Sequence, residues 1–296
     1  MSALALKLIA LAAMLLDHIG YLLGSLGSLS PSMQGVVIVL RMIGRIAFPI
    51  FAFQIAQGYR KTSNVYKYGL RLLAVAIVSQ IPYALFKNSY AIGSQGVSLS
   101  DFAPSNWFGL IQASFMQTTL NICFTLFLGL FAIYAFDKLR DMPIVEGKNR
   151  FTSWCYKAMG QLLRVGAAVA IGLLAPLVGA EYGLWGVMLM VGLYAAKENK
   201  TWQVVVLAAY AILYTLSNLN MMPHQLLLLA LRGYSLGSLS LPEASTMAFW
   251  LGGILAAVPL AFYDGSKRGK KCQWLTYAFY PVHLLLLTIL FWVIAF

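Results

Sequence analysis

The chain of 296 residues is 60% hydrophobic and only 10% charged, with a mean hydropathy of +0.77. Soluble domains carry about 25% charged residues, so this composition excludes an ordinary water-soluble globule. The net charge of +12, from 21 basic and 9 acidic residues, would suit nucleic-acid binding. The positives instead gather in short segments between apolar runs, as in the cytoplasmic loops of membrane proteins.

The apolar runs are about 20 residues long and predict a polytopic helical membrane protein. They lack the short alternating segments of a transmembrane barrel. The first run, 3–24, holds one lysine, Lys7, and exceeds the length of a signal-peptide core. No A-x-A-like site precedes the next run, so it is read as a retained first helix. Further spans are expected at 35–58, 67–87, 118–137, 158–178, 182–197, 201–218, 246–263 and 274–296.

The segment "GSLGSLSPSMQG" between the first two runs carries no charge, whereas Arg60, Lys61 and Lys67 follow the second. Lys138, Arg140, Lys148, Arg150 and Lys157 occupy the loop 138–157, and Lys197 and Lys200 follow the sixth run. Lys267, Arg268, Lys270 and Lys271 precede the last. Positive residues mark the cytoplasmic side, so the N-terminus is expected inside. With the "SKRGKK" loop also inside, the apolar piece 223–236 is expected to be re-entrant or interfacial. The expectation is thus an all-α polytopic transmembrane bundle, residues 1–296 as a single domain, with about nine spans and an external C-terminus. Cys123, Cys155 and Cys272 stand far apart with no metal-like spacing, and no metal is expected.

A charged side chain at a helix centre costs about 2.5–3.5 kcal/mol on insertion scales. Ionisable residues inside spans are therefore functional candidates by default. Asp17 and His18 lie within "AAMLLDHIGYLLG", Arg41 and Arg45 within "LRMIGRIAFPIFAF", and His283 within "FYPVHLLLL". Arg164 lies near enough to a helix end to extend to the surface. The first helix runs outward and the second inward, which puts both pairs in the outer half. Arg41 and Arg45 share a face. Asp17 and His18 are about 100° apart around their helix, so Asp17 is expected to face an arginine and His18 a cavity. A plain ion pair pinning two helices is the simpler reading, but a second arginine and a histidine exceed what a pin needs. For His283, a structural hydrogen bond is an equal alternative. Asn121, Gln57, Gln80, Glu181 and Tyr182 are further polar candidates. Gln57 and Gln80 also suit helix–helix hydrogen bonds, and Glu181 suits the short turn "GAEYG".

Phosphate-binding loops, dinucleotide fingerprints, HExxH and GxSxG are all missing. Histidine titrates near neutrality and serves as a general base; arginines bind anions or stabilise an oxyanion. That set suits acyl transfer. It suits equally a small-anion or proton-coupled transporter, and a non-catalytic assembly factor locked by buried charge remains a third reading.

The stretches "LKLIALAAMLLDHIGYLL", "LRMIGRIAFPIFAFQIAQGYRKT", "YGLRLLAVAIVSQIPYALF", "NICFTLFLGLFAIYAFD", "AEYGLWGVMLM" and "YDGSKRGKKCQWLTYAFYPVHLLLL" occur in an order that resembles the TraX family over nearly the whole chain. That family is similar to the integral-membrane acyltransferases of the acyltransferase-3 and heparan-glucosaminide acetyltransferase group. The resemblance implies a bacterial-type inner-membrane enzyme moving acetyl from acetyl-CoA to an amine or hydroxyl. Within the family, acetylation of a conjugative pilin N-terminus is known; here the acceptor is left as a protein N-terminus, a glycan or a small molecule. No nucleic acid is implied. The resemblance casts His18 as base beside Asp17, Arg41 and Arg45 as contacts of the donor or acyl oxygen, and His283 as lining the same cavity. The chain departs from the family pattern at Gln57 and Gln80, where glutamates are expected, at Glu181 (aspartate) and at Asp264 (asparagine). Arg60, Lys61, Arg71, Lys267, Arg268, Lys270 and Lys271 are candidates for the coenzyme A phosphates, although the positive-inside pattern explains the same residues.

Overall fold

A computed structural model describes residues 1–27, 29–94, 119–141, 149–219, 244–265 and 273–295. The expected re-entrant piece 223–236 and the candidates Lys267, Arg268, Lys270 and Lys271 lie outside the described residues.

Helix α1 spans Ala3–Ser25, with the Ser2 side chain accepting from the Ala5 amide at 3.3 Å as its N-cap. The expected helix 35–58 starts earlier and is broken in two: α2, Pro31–Gly44, and α3, Ala47–Lys61. Ser30 caps α2 and Pro31 occupies its first turn, where a missing N–H costs nothing. The break has a covalent cause. In an unbroken helix the Arg45 carbonyl would accept from residue 49, and Pro49 has no N–H and a ring that collides with that carbonyl. Gly44 therefore ends α2 with Arg45 as its C-cap, and Pro49 falls in the first turn of α3, where proline is tolerated.

Helix α4 covers Val65–Lys87 and α5 Ser89–Ser94. Helix α6, Ile122–Lys138, begins where Asn121 caps it through the Cys123 amide. Helix α7 runs over Arg150–Leu177 and starts eight residues before the expected 158, so part of the expected loop 138–157 is helical. Its start is set by a capping box in which the Asn149 side chain accepts from the Thr152 amide and the Thr152 hydroxyl accepts from the Asn149 amide. Helices α8, Gly183–Ala196, and α9, Lys200–Asn218, follow. The expected helix 246–263 is α10, Ala244–Leu251, a 3-10 stretch Gly252–Ala256, and α11, Ala257–Ala261. Helix α12 spans Gln273–Ala295.

The chain is a multi-pass α-helical membrane protein. Among the described residues, Ala3–Ser25, Pro31–Lys61 taken together, Val65–Lys87, Arg150–Leu177 and Thr276–Ala295 are long and apolar enough to cross a bilayer. Gly183–Ala196 and Phe249–Ala261 are apolar but shorter.

The chain forms two compact units. The first comprises residues 1–50, 81–118 and 200–296. In it α1 packs along α2 and against α12, while α9 packs on α10 and the 3-10 stretch. Leu6, Ala10, Leu284 and Leu207 are fully buried there. Close helix approach depends on glycine, as in membrane helix pairs generally. A Cβ on Gly44 would lie 2.7 Å from the Asp17 Cα, and one on Gly20 would lie 3.0 Å from the Arg41 Cγ.

The second unit comprises residues 51–80 and 119–199, in which α6, α7 and α8 pack on one another. Leu130, Ile133, Ala168, Val187 and Met190 are fully buried. Irregular backbone before α6 is sealed by an isolated parallel bridge, with the Leu120 amide donating to Gly179 at 2.8 Å and the Glu181 amide to Leu120 at 3.0 Å. Such pairing is what non-helical backbone at membrane depth requires.

Candidate functional site

Five of the sequence candidates converge in the first unit. Asp17 and His18 project from the second half of α1. Arg41 and Arg45, one turn apart at the end of α2, both reach the Asp17 carboxylate. Arg41 Nη1 stands 3.5 Å from Oδ2 and Arg45 Nη2 3.6 Å from Oδ1. All three side chains are largely buried, at 17% exposure for Asp17, 20% for Arg41 and 10% for Arg45. Charge-assisted N–H···O bonds are shorter, at about 2.7–2.9 Å. Asp17 Oδ1 makes no hydrogen bond, so the carboxylate is shared loosely between two guanidiniums rather than clasped by one. The expectation that Asp17 faces an arginine is met twice over.

The arginines are held on aromatic faces. Phe249 of α10 lies under both, 5.1 Å from the Arg41 guanidinium carbon and 4.5 Å from that of Arg45. Trp250 adds a second face to Arg45 at 5.3 Å, and Tyr21 one to Arg41 at 5.3 Å. Cation–π contacts of this kind hold a guanidinium in place while displacing water.

One edge of the His18 ring meets a second histidine. His18 Nδ1 is 2.7 Å from Nε2 of His283 on α12. The two rings are only 19° from parallel, with centroids 4.9 Å apart. That separation exceeds the N···N distance by 2.2 Å, two imidazole radii, so the rings meet edge to edge and the bond lies close to their common plane. Phe86 packs edge-on against His18 at 4.8 Å, and Phe279 stacks on His283 at 4.6 Å.

The hydrogen bonds assign the tautomers. His283 Nδ1 is 2.6 Å from the Phe279 carbonyl, which can only accept, so Nδ1 carries the proton. In neutral His283, Nε2 is then an acceptor, and His18 must donate to it from Nδ1. His18 is left with a bare lone pair on Nε2, the protonation state of a general base. Pro281 lies in the same turn and removes an N–H from the α12 ladder where the His283 ring turns back on the chain.

The remaining site candidates among the described residues belong to the second unit. Asn121 is fully buried and donates to the Ala76 carbonyl at 2.7 Å and to Gln80 Oε1 at 2.9 Å. Gln80 in turn donates to the Thr119 carbonyl at 3.2 Å. This network is mutually satisfied and supports the bridged backbone before α6. The Glu181 carbonyl accepts from the Thr125 hydroxyl, and Tyr182 enters α8 with a left-handed backbone, φ 65°. Arg60 donates to the Tyr194 carbonyl and lies over that ring at 5.1 Å. Arg71 lies 5.9 Å from the Tyr68 ring centroid, and Lys61 ends α3 on an exposed position.

Sequence reasoning passed over Tyr21, Phe86, Lys87, Phe249, Trp250 and Phe279. Helical spacing would have found two of them. Tyr21 lies four residues beyond Asp17 and three beyond His18, and Phe279 four before His283, the spacings at which helical neighbours meet.

The family model described as TraX protein matches residues 2–291. The chain belongs to the TraX family. It is also 30% identical over 143 residues to the probable fimbrial assembly protein FimC, serogroup H1, of Dichelobacter nodosus. That alignment covers 48% of this chain and 50% of the relative, so the chain matches about half of that relative's length. No solved structure matches.

Proposed function

We propose that this TraX-family protein is a membrane acyltransferase that moves an acetyl group from acetyl-CoA to an amine or hydroxyl, with His18 as general base. The observation that carries the reading is the His18–His283 pair, whose tautomers are set by the Phe279 carbonyl so that His18 Nε2 is unprotonated. His18 Nε2 takes the proton of the acceptor nucleophile as that atom attacks the thioester carbonyl. His283 accepts the hydrogen bond from His18 Nδ1 and stabilises the imidazolium, the role an acid plays in other catalytic triads. Negative charge builds on the thioester oxygen, and the guanidiniums of Arg41 and Arg45 are the groups of this unit suited to stabilise it. Collapse breaks the C–S bond, and the thiolate of coenzyme A leaves with the proton from His18.

The resemblance of half the chain to a probable fimbrial assembly protein supports a surface-fibre subunit as acceptor, and a free N-terminal amine is the acceptor group that fits a histidine base. The distribution of Lys and Arg supports a cytoplasmic N-terminus, and the family supports a bacterial-type inner membrane. Incubation of the protein in lipid nanodiscs with acetyl-CoA and a panel of peptides with free N-termini tests the reading. A peptide mass increase of one acetyl group with equimolar thiol release is expected. Anion flux across proteoliposomes without thiol release would favour the transporter instead.

A further inference from the structure

Arg164 is an intramembrane arginine that the proposed reaction does not use. It lies in α7, within the second unit. Its Nε donates to the Phe136 carbonyl at 3.0 Å and its Nη1 to Gln161 Oε1 at 2.9 Å. The guanidinium carbon lies 4.2 Å from the centroid of the Phe136 ring. The bond to Gln161 turns the charge about one helical turn back toward the start of α7, the direction in which helical side chains lean.

Beside it runs an open groove of about 500 Å³, between α7 and the 3-10 turn Leu139–Asp141 that follows α6. Leu139, Leu162, Leu163, Gly166, Ala167 and Ala170 line it, and every one of these side chains is apolar. A Cβ on Gly166 would meet nothing within 4 Å, so the space reaches the helix backbone there. Cavities that hold ligands are of this size, about 300–1,000 Å³. Arg140, next to Leu139, is engaged with Asp137 at 3.6 Å, so Arg164 is the cation assigned to the mouth of the groove.

Depth follows from helix geometry. Helix α7 is long and apolar enough to cross a bilayer, and its last residue, Leu177, is exposed. Counted back from there, about 20 residues span a hydrocarbon core of about 30 Å, which puts the near boundary at about residue 158. Just before it stand the exposed Phe151, Trp154 and Tyr156, with Arg150 and Lys157, the aromatic and basic residues that mark a membrane surface. The groove residues 162–170 then lie about 6–18 Å below that surface, the depth of an acyl chain in one leaflet. The guanidinium, drawn back to Gln161, lies about 5 Å below it, where a phospholipid joins its headgroup to its chains.

We infer that this groove holds one anionic phospholipid, with an acyl chain along Gly166, Ala167 and Ala170 and the headgroup phosphate on Arg164. Charge complementarity selects the occupant. Basic pockets between membrane helices take anionic headgroups, and the planar guanidinium matches the geometry of phosphate oxygens. Neutral groups position that guanidinium: the Phe136 carbonyl and ring and the Gln161 side-chain oxygen. The lipid site stands apart from the acyltransferase reading, because all its residues belong to the second unit.

The full chain, reconstituted in phosphatidylcholine vesicles with a minor fraction of phosphatidylglycerol carrying a diazirine in its acyl chain, tests this by photocrosslinking and peptide mass spectrometry. Labelling of residues 162–170 is expected to exceed that by diazirine-bearing phosphatidylethanolamine, at the same mole fraction, by about fivefold or more. Arg164→Gln is expected to bring the phosphatidylglycerol signal down to the phosphatidylethanolamine level, while Arg164→Lys keeps an excess. Gly166→Leu, whose Cβ meets no neighbour, is expected to fill the groove and abolish that excess. Equal labelling of wild type by the two lipids would mean bulk bilayer alone and overturn the site, as would an unchanged excess in folded Arg164→Gln. If Arg164→Gln does not fold, Gly166→Leu decides: persistence of the excess overturns the site. A disulfide between two copies of Gly166→Cys, with no lipid labelling at 162–170 in wild type, would give the groove to a second copy and overturn it as well.

Discussion

Gly44→Ala is the sharpest test of how the site is assembled. The added Cβ would sit 2.7 Å from the Asp17 Cα and 2.8 Å from its Oδ1. The Asp17 Cβ lies closer still; ordinary carbon–carbon contact is about 3.5–4.0 Å, so α2 must withdraw from α1 by more than about 1 Å. Asp17 and both arginines are attached to these two helices, and their ion contacts already stand at 3.5 and 3.6 Å. A withdrawal of that size takes them beyond contact. Overpacking costs about 1–3 kcal/mol, and the helix propensity gained by replacing glycine with alanine returns at most about 1 kcal/mol. The net expectation is a loss of about 1–2 kcal/mol. Gly160 provides the control, because a Cβ there meets nothing within 4 Å and the residue lies inside α7. Gly160→Ala is expected to be neutral or slightly stabilising. Unfolding in mixed micelles with a rising fraction of sodium dodecyl sulfate gives both numbers. Equal stability of the two variants would refute the close α1–α2 packing from which the ion cluster is derived.

Other variants probe the chemistry and its supports. His283→Ala removes the acceptor that orients His18; a hydrogen bond to a charged group is worth about 1.5–3 kcal/mol, so kcat for thiol release is expected to fall roughly ten- to one-hundred-and-fifty-fold, with His283→Gln recovering part of it by offering a carbonyl oxygen. Asp17→Asn leaves two partly buried guanidiniums without their carboxylate and is expected to destabilise by about 3 kcal/mol, read in the same micelle titration, with Asp17→Glu retaining most of the stability. Asn121→Leu removes the side-chain amide that donates to Gln80 Oε1 and to the Ala76 carbonyl and the oxygen that caps α6 at the Cys123 amide, all in a buried setting. A loss of about 2–3 kcal/mol is expected, and wild-type stability would contradict the role assigned to that network.

How much was readable beforehand follows from the physics of each feature. The cost of charge in a membrane singles out Asp17, His18, Arg41, Arg45 and His283 from a single sequence, and the structure brings those five into one unit. The partners of Asp17 followed from helix direction and the spacing of the arginines. The direct bond from His18 to His283 did not follow from helix spacing, because the contact between α1 and α12 joins residues 265 positions apart; only the family resemblance put His283 at the same cavity. The break between α2 and α3 was legible in Pro49 but was outweighed by the unbroken apolar pattern on either side of it. Hydropathy also placed the start of α7 eight residues late, since the capping box at Asn149 and Thr152 is a polar signal that hydropathy does not weigh. Asn121 was read as a cavity residue and Gln80 as a helix–helix hydrogen bond; their geometry is a satisfied structural pair, which for Asn121 residue type alone does not distinguish from a binding site.

The most direct test of the central claim is the release of free thiol from acetyl-CoA by the purified protein, wild type beside His18→Ala, with folding of both verified by thermal unfolding. General bases contribute about 10²–10⁴ in rate, so His18→Ala is expected to lose at least a hundredfold while remaining folded. Thiol release at the wild-type rate in folded His18→Ala would remove His18 as the base and with it the proposed mechanism.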